Sequence, residues 1–116
     1  MAMLRREGSE LVVKLALLEK LGALRDDIRV PWASVRYVRV NESPFRELRG
    51  FRVGARLPGV IALGTWYMRG GRMFAAIYRR SPGVIVELDG ARYRKLVVTM
   101  ADASEVAASL NRDLGL

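Results

Sequence analysis

Hydrophobic and polar residues alternate along most of this chain with a period of two, which marks strands buried on one side. In Glu10–Leu17 (ELVVKLAL), Leu11, Val13, Leu15 and Leu17 fall on one side and Val12, Lys14 and Ala16 on the other. Asp27–Val30 is a short strand ended by Pro31, which has no N–H to donate to a ladder. Pro31–Ser34 reads as a turn, and VRYVRV at Val35–Val40 as the next strand, with Val38 and Val40 inward and Arg39 outward. Val60–Tyr78 predicts a central hairpin with Gly70-Gly71 at its tip, the glycines supplying the positive φ of a tight primed turn. That reading sets Arg69 and Arg72 directly opposite each other, where like charges disfavour the pair. Two turns, Ser81-Pro82-Gly83 and Asp89-Gly90, bracket the strand Val84–Leu88, whose Val84, Val86 and Leu88 face the core, and Leu96–Met100 closes the sheet.

Three stretches depart from this period. Leu18, Leu21 and Leu24 recur three apart, predicting a helical turn over Leu18–Arg25. Asn41–Gly59 is punctuated by Pro44, Gly50, Gly54, Pro58 and Gly59 and reads as a long loop containing a helical turn at Phe45–Leu48. Asp102-Ala-Ser-Glu105 has the form of a capping box, and Ala103, Val106, Ala107, Leu110 and Leu114 then make an apolar stripe at helical spacing. The tally is about seven strands within 10–100 and a closing helix at about 102–114, in one domain spanning 1–116. Such an order predicts a mainly β (α+β) fold: a small antiparallel barrel or two orthogonal sheets capped by one C-terminal helix.

Composition narrows the chemistry. The chain has neither cysteine nor histidine, which removes thiolate nucleophiles, the commonest metal ligand and the commonest general base. Catalytic residues, a metal site and a cofactor are therefore not expected, and Asp26-Asp27, the only adjacent acid pair, reads as a solvated turn. The longest apolar run, Val60–Met68, is about half of the roughly 20 residues a spanning helix needs, so a soluble, cytoplasmic protein is expected. The net charge is +8, with seventeen arginines against three lysines. Between Ser43 and Arg80 stand Arg46, Arg49, Arg52, Arg56, Arg69, Arg72, Arg79 and Arg80 against the single acid Glu47. This stretch is the candidate anion-binding surface, for nucleic acid or acidic phospholipid; the simpler reading is arginines solvating a β surface.

The opening ELVVKLALLEKLGAL, the strand pair around DIRVPWASVRYVRV and the closing LVVTMADASEVAASL resemble the small single-domain bacterial members of the pleckstrin-homology-like (PH-like) group. The resemblance covers nearly the whole chain but rests on pattern, without an invariant motif. It implies a PH-like fold and a noncatalytic binding or protein-interaction module. Phosphoinositide-binding members carry basic residues across the first two strands and their loop. Here that loop is LLEKLGALRDD, in which Glu19, Asp26 and Asp27 offset Lys20 and Arg25. The expected partners are thus another protein or a second copy of the chain in a homo-oligomer, with anionic lipid or nucleic acid as the alternative through the 43–80 arginines.

Overall fold

The period-two segments all become strands, and two further strands form where the sequence reads as polar or irregular. The computed structural model describes residues 1–116. In chain order the elements are β1 (Met3–Glu7), β2 (Glu10–Lys14), α1 (Leu17–Ala23), β3 (Ile28–Pro31), a 3-10 turn at Trp32–Ser34, β4 (Val35–Asn41), a 3-10 turn at Pro44–Glu47, β5 (Phe51–Leu57), β6 (Ile61–Met68), β7 (Gly71–Tyr78), β8 (Gly83–Leu88), β9 (Lys95–Thr99) and α2 (Ala103–Asp113). They form two sheets, a three-stranded one in the order β1-β2-β3 and a six-stranded one in the order β4-β8-β9-β7-β6-β5. No helix is long and apolar enough to cross a membrane.

The main core lies between the sheets. Leu11, Val13, Ile28 and Val30 of the small sheet meet Phe74, Val84, Val86, Leu96 and Val98 of the large one, and Ala103, Ala107 and Leu110 of α2 join them. The other face of the large sheet is buried as well: Trp66, Met73, Ala75, Ile77, Ile85 and Val97 form a second cluster, against which Phe45 and Leu48 pack. Strands covered on both faces read as unbroken apolar runs rather than alternations. MFAAI in β7 and VIV in β8 are of that kind.

Several expectations need correction. Of the two architectures expected, two sheets form and the closed barrel does not; there are nine strands instead of about seven, and the helical turn expected over Leu18–Arg25 is a second helix, α1, beside the C-terminal one. It is not wholly antiparallel, because β9 inserts between β7 and β8 and pairs with β7 in parallel. β1 lies before residue 10, in the polar start, where it pairs along its whole length with β2 and buries Leu4 alone. β5 occupies seven residues of the supposed loop, since its glycine is a contact point rather than a turn. Gly54 sits opposite Gly64, and a Cβ on either would run into a carbonyl of the facing strand. The hairpin tip is also shifted by one residue: Met68 pairs with Gly71 and Tyr67 with Arg72, leaving Arg69-Gly70 as the turn. Arg69 and Arg72 are therefore not opposed; the Arg72 guanidinium lies 5.5 Å from the centre of the Tyr67 ring, a cation–π contact.

The predicted capping box at Asp102 does not form, as no side-chain bond caps α2. A half-box stands at α1 instead, where the Glu19 carboxylate accepts the Ala16 N–H at 2.8 Å. The stripe of α2 does pack as its spacing requires, with Ala103, Ala107 and Leu110 buried. Asn111, off that stripe, accepts the Val38 N–H through Oδ1 at 3.0 Å and donates to the Val38 carbonyl through Nδ2 at 2.8 Å. Its amide stands in for the missing neighbour of β4 at one edge of the large sheet.

Candidate functional site

Two surfaces carry unsatisfied chemistry, and the first is apolar. α1 lies against β5 and β6, with the hydrogens of Gly22 facing the side chains of Leu63 and Ala55. A Cβ at Gly22 would stand 3.1 Å from Leu63 Cδ1, tighter than ordinary contact, so the leucine would have to give by a few tenths of an ångström. Ala23 and Glu19 are its buried residues. Glu19 is 3% exposed and is satisfied by two donors, the Ala16 N–H and the Tyr78 hydroxyl at 2.7 Å. Burial and the neighbouring Glu19 carboxylate together push the Tyr78 hydroxyl pKa upward. This inward set turns the leucines outward: Leu17, Leu18, Leu21 and Leu24 are 63–79% exposed. A globular helix ordinarily shows the reverse.

Beside α1 runs β5, an edge strand bonded only to β6 and exposed along nearly its whole length. Phe51, Val53, Ala55 and Leu57 share the side on which α1 sits, because they pair with Tyr67, Thr65, Leu63 and Ile61. Phe51, Val53 and Leu57 are exposed there. Arg52 and Arg56 point to the opposite face, pairing with Trp66 and Ala62. The spacing of the leucines was legible in the sequence, but their outward orientation was not, since an outward and an inward stripe have the same period.

The second surface is basic, and the fold divides the arginines of 43–80 rather than gathering them. None of the eight pairs with a carboxylate. Arg46 and Arg49 belong to the turn before β5, where Arg49 donates back to the carbonyls of Arg46 and Leu48. Arg69 and Arg72 lie at the tip of the β6–β7 hairpin, whereas Arg79 and Arg80 follow its far end. An eight-residue strand separates these groups by roughly 23 Å. Arg56 belongs to the far end and Arg52 to the tip end.

At the tip the structure adds arginines from outside that stretch. The Arg94 N–H donates to the Arg72 carbonyl at 2.8 Å, and the Arg25 and Arg92 guanidiniums stand 5.6 and 5.8 Å from the Tyr93 ring centre. Tyr93 is fully buried and packs edge-on against Phe74, and its hydroxyl has no hydrogen-bond partner. A cleft of about 520 Å³ opens here, lined by Arg36, Gly70, Leu88, Asp89, Tyr93 and Arg94 among others. Arg36 is neutralised by Asp89 at 2.6 Å and holds that carboxyl below its usual pKa. Arg25, Arg92 and Arg94 could not be assigned to this end from sequence, because two separate connections, α1–β3 and β8–β9, bring them there.

No protein-family model, curated protein or solved structure matches this chain. The residues themselves therefore carry the functional reading. Among the acids, Glu47 is held ionised by Arg39, Lys95 and Asn41, with its pKa lowered to about 2. Asp27 accepts the Leu15 N–H at 2.8 Å, so half of the Asp26-Asp27 pair is a structural cap rather than a solvated turn. Asp26 remains in solvent, ion-paired with Lys20 at 3.0 Å.

Proposed function

We propose that the chain is a noncatalytic interaction module of the PH-like kind, whose working surface is the apolar side built by α1 and β5. The observation that carries this reading is the inverted helix, with four exposed leucines beside the exposed apolar residues of an edge strand. Contiguous apolar surface of this size on a folded chain is characteristic of an interaction site. The noncatalytic part is supported by the absence of histidine and cysteine and by the engagement of Glu19 and Glu47 in structural contacts. A parallel strand pair and the added α1 are departures from a simple antiparallel PH-like sheet.

The double variant Leu18→Glu with Leu21→Glu tests the surface. If the leucines are free for a partner, the variant melts within a few degrees of the parent while its binding of an apolar dye falls. A large drop in melting temperature would mean that the leucines are covered within the chain, and the reading would fail.

A second reading is supported by the arginines without carboxylate partners at the hairpin tip: a site for phosphate-bearing ligands. Contacts to phosphate release counterions, so binding to an oligonucleotide or to anionic vesicles should weaken steeply as salt rises. The two titrations, each repeated with Arg92→Ala and Arg94→Ala, distinguish the ligand classes, and flat or absent binding in both would remove this reading.

A further inference from the structure

We propose that the partner of the α1–β5 surface is a second copy of the chain, paired antiparallel through β5 about Gly54, so that two six-stranded sheets join into one of twelve strands. The inference rests on the reading of that side as a docking surface and names its occupant.

The first argument is the state of the sheet edges. An edge strand offers a row of free N–H and C=O groups that template another strand. In the large sheet, β4 is met by the Asn111 amide, while β5 has β6 on one side and nothing on the other.

The second is self-complementarity, which a two-fold interface requires because each patch must meet a copy of itself. β5 reads FRVGARL, and about Gly54 the chemistry is the same in both directions: Phe51 matches Leu57, Arg52 matches Arg56, and Val53 matches Ala55. Cross-strand neighbours point to the same side of a sheet. Pairing about Gly54 therefore joins the apolar sides of both strands into one continuous surface, with both copies of α1 above it.

The third is dimension. α1 rests across β5 and β6, about half a strand spacing inside β5. With strands about 4.8 Å apart, the two helices would lie about 10 Å apart across the two-fold axis, which is the spacing at which helices pack side by side. Phe51, Val53, Leu57 and Tyr67, exposed on the same side of the sheet as the helices, add apolar side chains to the seam.

The same pairing has a cost that makes it recognisable. Arg52 of each copy comes opposite Arg56 of the other, on the face away from the helices, and neither is ion-paired with a carboxylate. The dimer should therefore tighten with ionic strength, most of all with sulfate or inorganic phosphate bridging the guanidiniums.

The experiment is sedimentation equilibrium on the full chain across a concentration series at low salt, high salt and with added sulfate. The expected result is a species of twice the 13.0 kDa chain mass, strengthened by sulfate. Val53→Lys, an exposed position where a charge blocks strand pairing, should weaken association at least tenfold, while melting at the same temperature as the parent at concentrations where the parent is monomeric. Because the chain has no cysteine, a mixture of Val53→Cys and Ala55→Cys chains reports the register, and a heterodimeric disulfide should form faster than either homodimeric one. A chain that stays monomeric in every condition, while Leu18→Glu with Leu21→Glu leaves the fold intact, overturns self-pairing and leaves the docking surface for another partner. A dimer insensitive to Val53→Lys overturns the β5 mode. Collapse of the fold in the leucine variant overturns both the surface and the dimer.

Discussion

Replacing Glu47 with glutamine should destabilise the fold at neutral pH and lose most of that effect in acid. Glu47 is the fastening between the turn at Pro44–Glu47 and the outer face of the large sheet. Its carboxylate receives Arg39 at 2.8 and 3.0 Å, Lys95 at 2.9 Å and Asn41 at 2.6 Å, and its side chain is only 10% exposed. The bond from Arg39 is the largest reason that its pKa falls from 4.5 to about 2; burial opposes the fall, and Lys95 and Asn41 assist it. At about 1.4 kcal/mol per tenfold change in proton affinity, that fall sets a ceiling of about 3 kcal/mol. Arg39 is itself 36% exposed, so solvent screening reduces the expected value to about 2 kcal/mol. Because the folded-state pKa is the lower one, the contribution is complete above about pH 4.5 and disappears as pH falls toward 2. Urea unfolding of the parent and Glu47→Gln at pH 7 and pH 3 measures it. The difference between the proteins should be about 2 kcal/mol at pH 7 and less than half of that at pH 3. Glu7, Asp26 and Asp89 also have lowered pKa values, but they are common to both proteins and cancel in the difference. An equal difference at the two pH values, or none at pH 7, would refute the reasoning.

Two other perturbations test the placement of α1 and β5. Tyr78→Phe removes a donor from the buried Glu19 carboxylate and should lower stability by about 1–3 kcal/mol in urea unfolding; an unchanged midpoint would mean that Glu19 is solvated and that α1 is not anchored through it. In the parent, spectroscopic titration should show one tyrosine ionising above the ordinary range, and since its folded-state pKa is raised, its stabilising contribution is present below about pH 10 and lost above it. Gly64→Ala would drive a Cβ into the Val53 carbonyl at a backbone φ of +149°. It should cost more than about 2 kcal/mol, whereas Gly90→Ala, left-handed but in open space, should cost about 1 kcal/mol. Equal melting temperatures for the two variants would contradict the close β5–β6 approach.

The elements with a one-sided pattern were legible because burial on one face imposes a period on the sequence. Val38, Val84, Val86 and Leu88 lie where alternation places them, and the α2 stripe packs as its spacing requires. Legibility failed where one signal had two physical causes. Gly54 has the same letter whether it makes a turn or lets two strands touch, and β5 was read as a loop for that reason. Gly70-Gly71 marked the hairpin, but the turn uses Arg69-Gly70, because register is decided by the whole ladder and not by its tip. Asp102 and Glu105 had the spacing of a capping box, yet the carboxylate that reaches back over a helix start is Glu19. For the arginines, linear density did not translate into proximity: a strand carries Arg79 and Arg80 away from Arg69, while turns bring Arg25, Arg92 and Arg94 toward it.

The inverted helix is best understood from what lies beneath it. Gly22 faces Leu63 and Ala55 directly, with no side chain of its own between α1 and the sheet. The same approach brings Glu19 within 2.7 Å of the Tyr78 hydroxyl, so the helix is held by a buried hydrogen bond and small-residue contact rather than by leucine burial. Folding of the single chain therefore gains little from Leu17, Leu18, Leu21 and Leu24, each of which remains mostly in water. At about 1.5–3 kcal/mol for a large apolar side chain moved fully out of water, these four hold several kilocalories in reserve. That free energy is realised only when another surface covers them. The adjacent strand edge is the one large-sheet edge without a side-chain cap, so any partner that covers the leucines also meets open backbone groups. Hydrophobic cover and strand addition thus become one event, which makes the α1–β5 side the surface on which association would most change the stability of the chain.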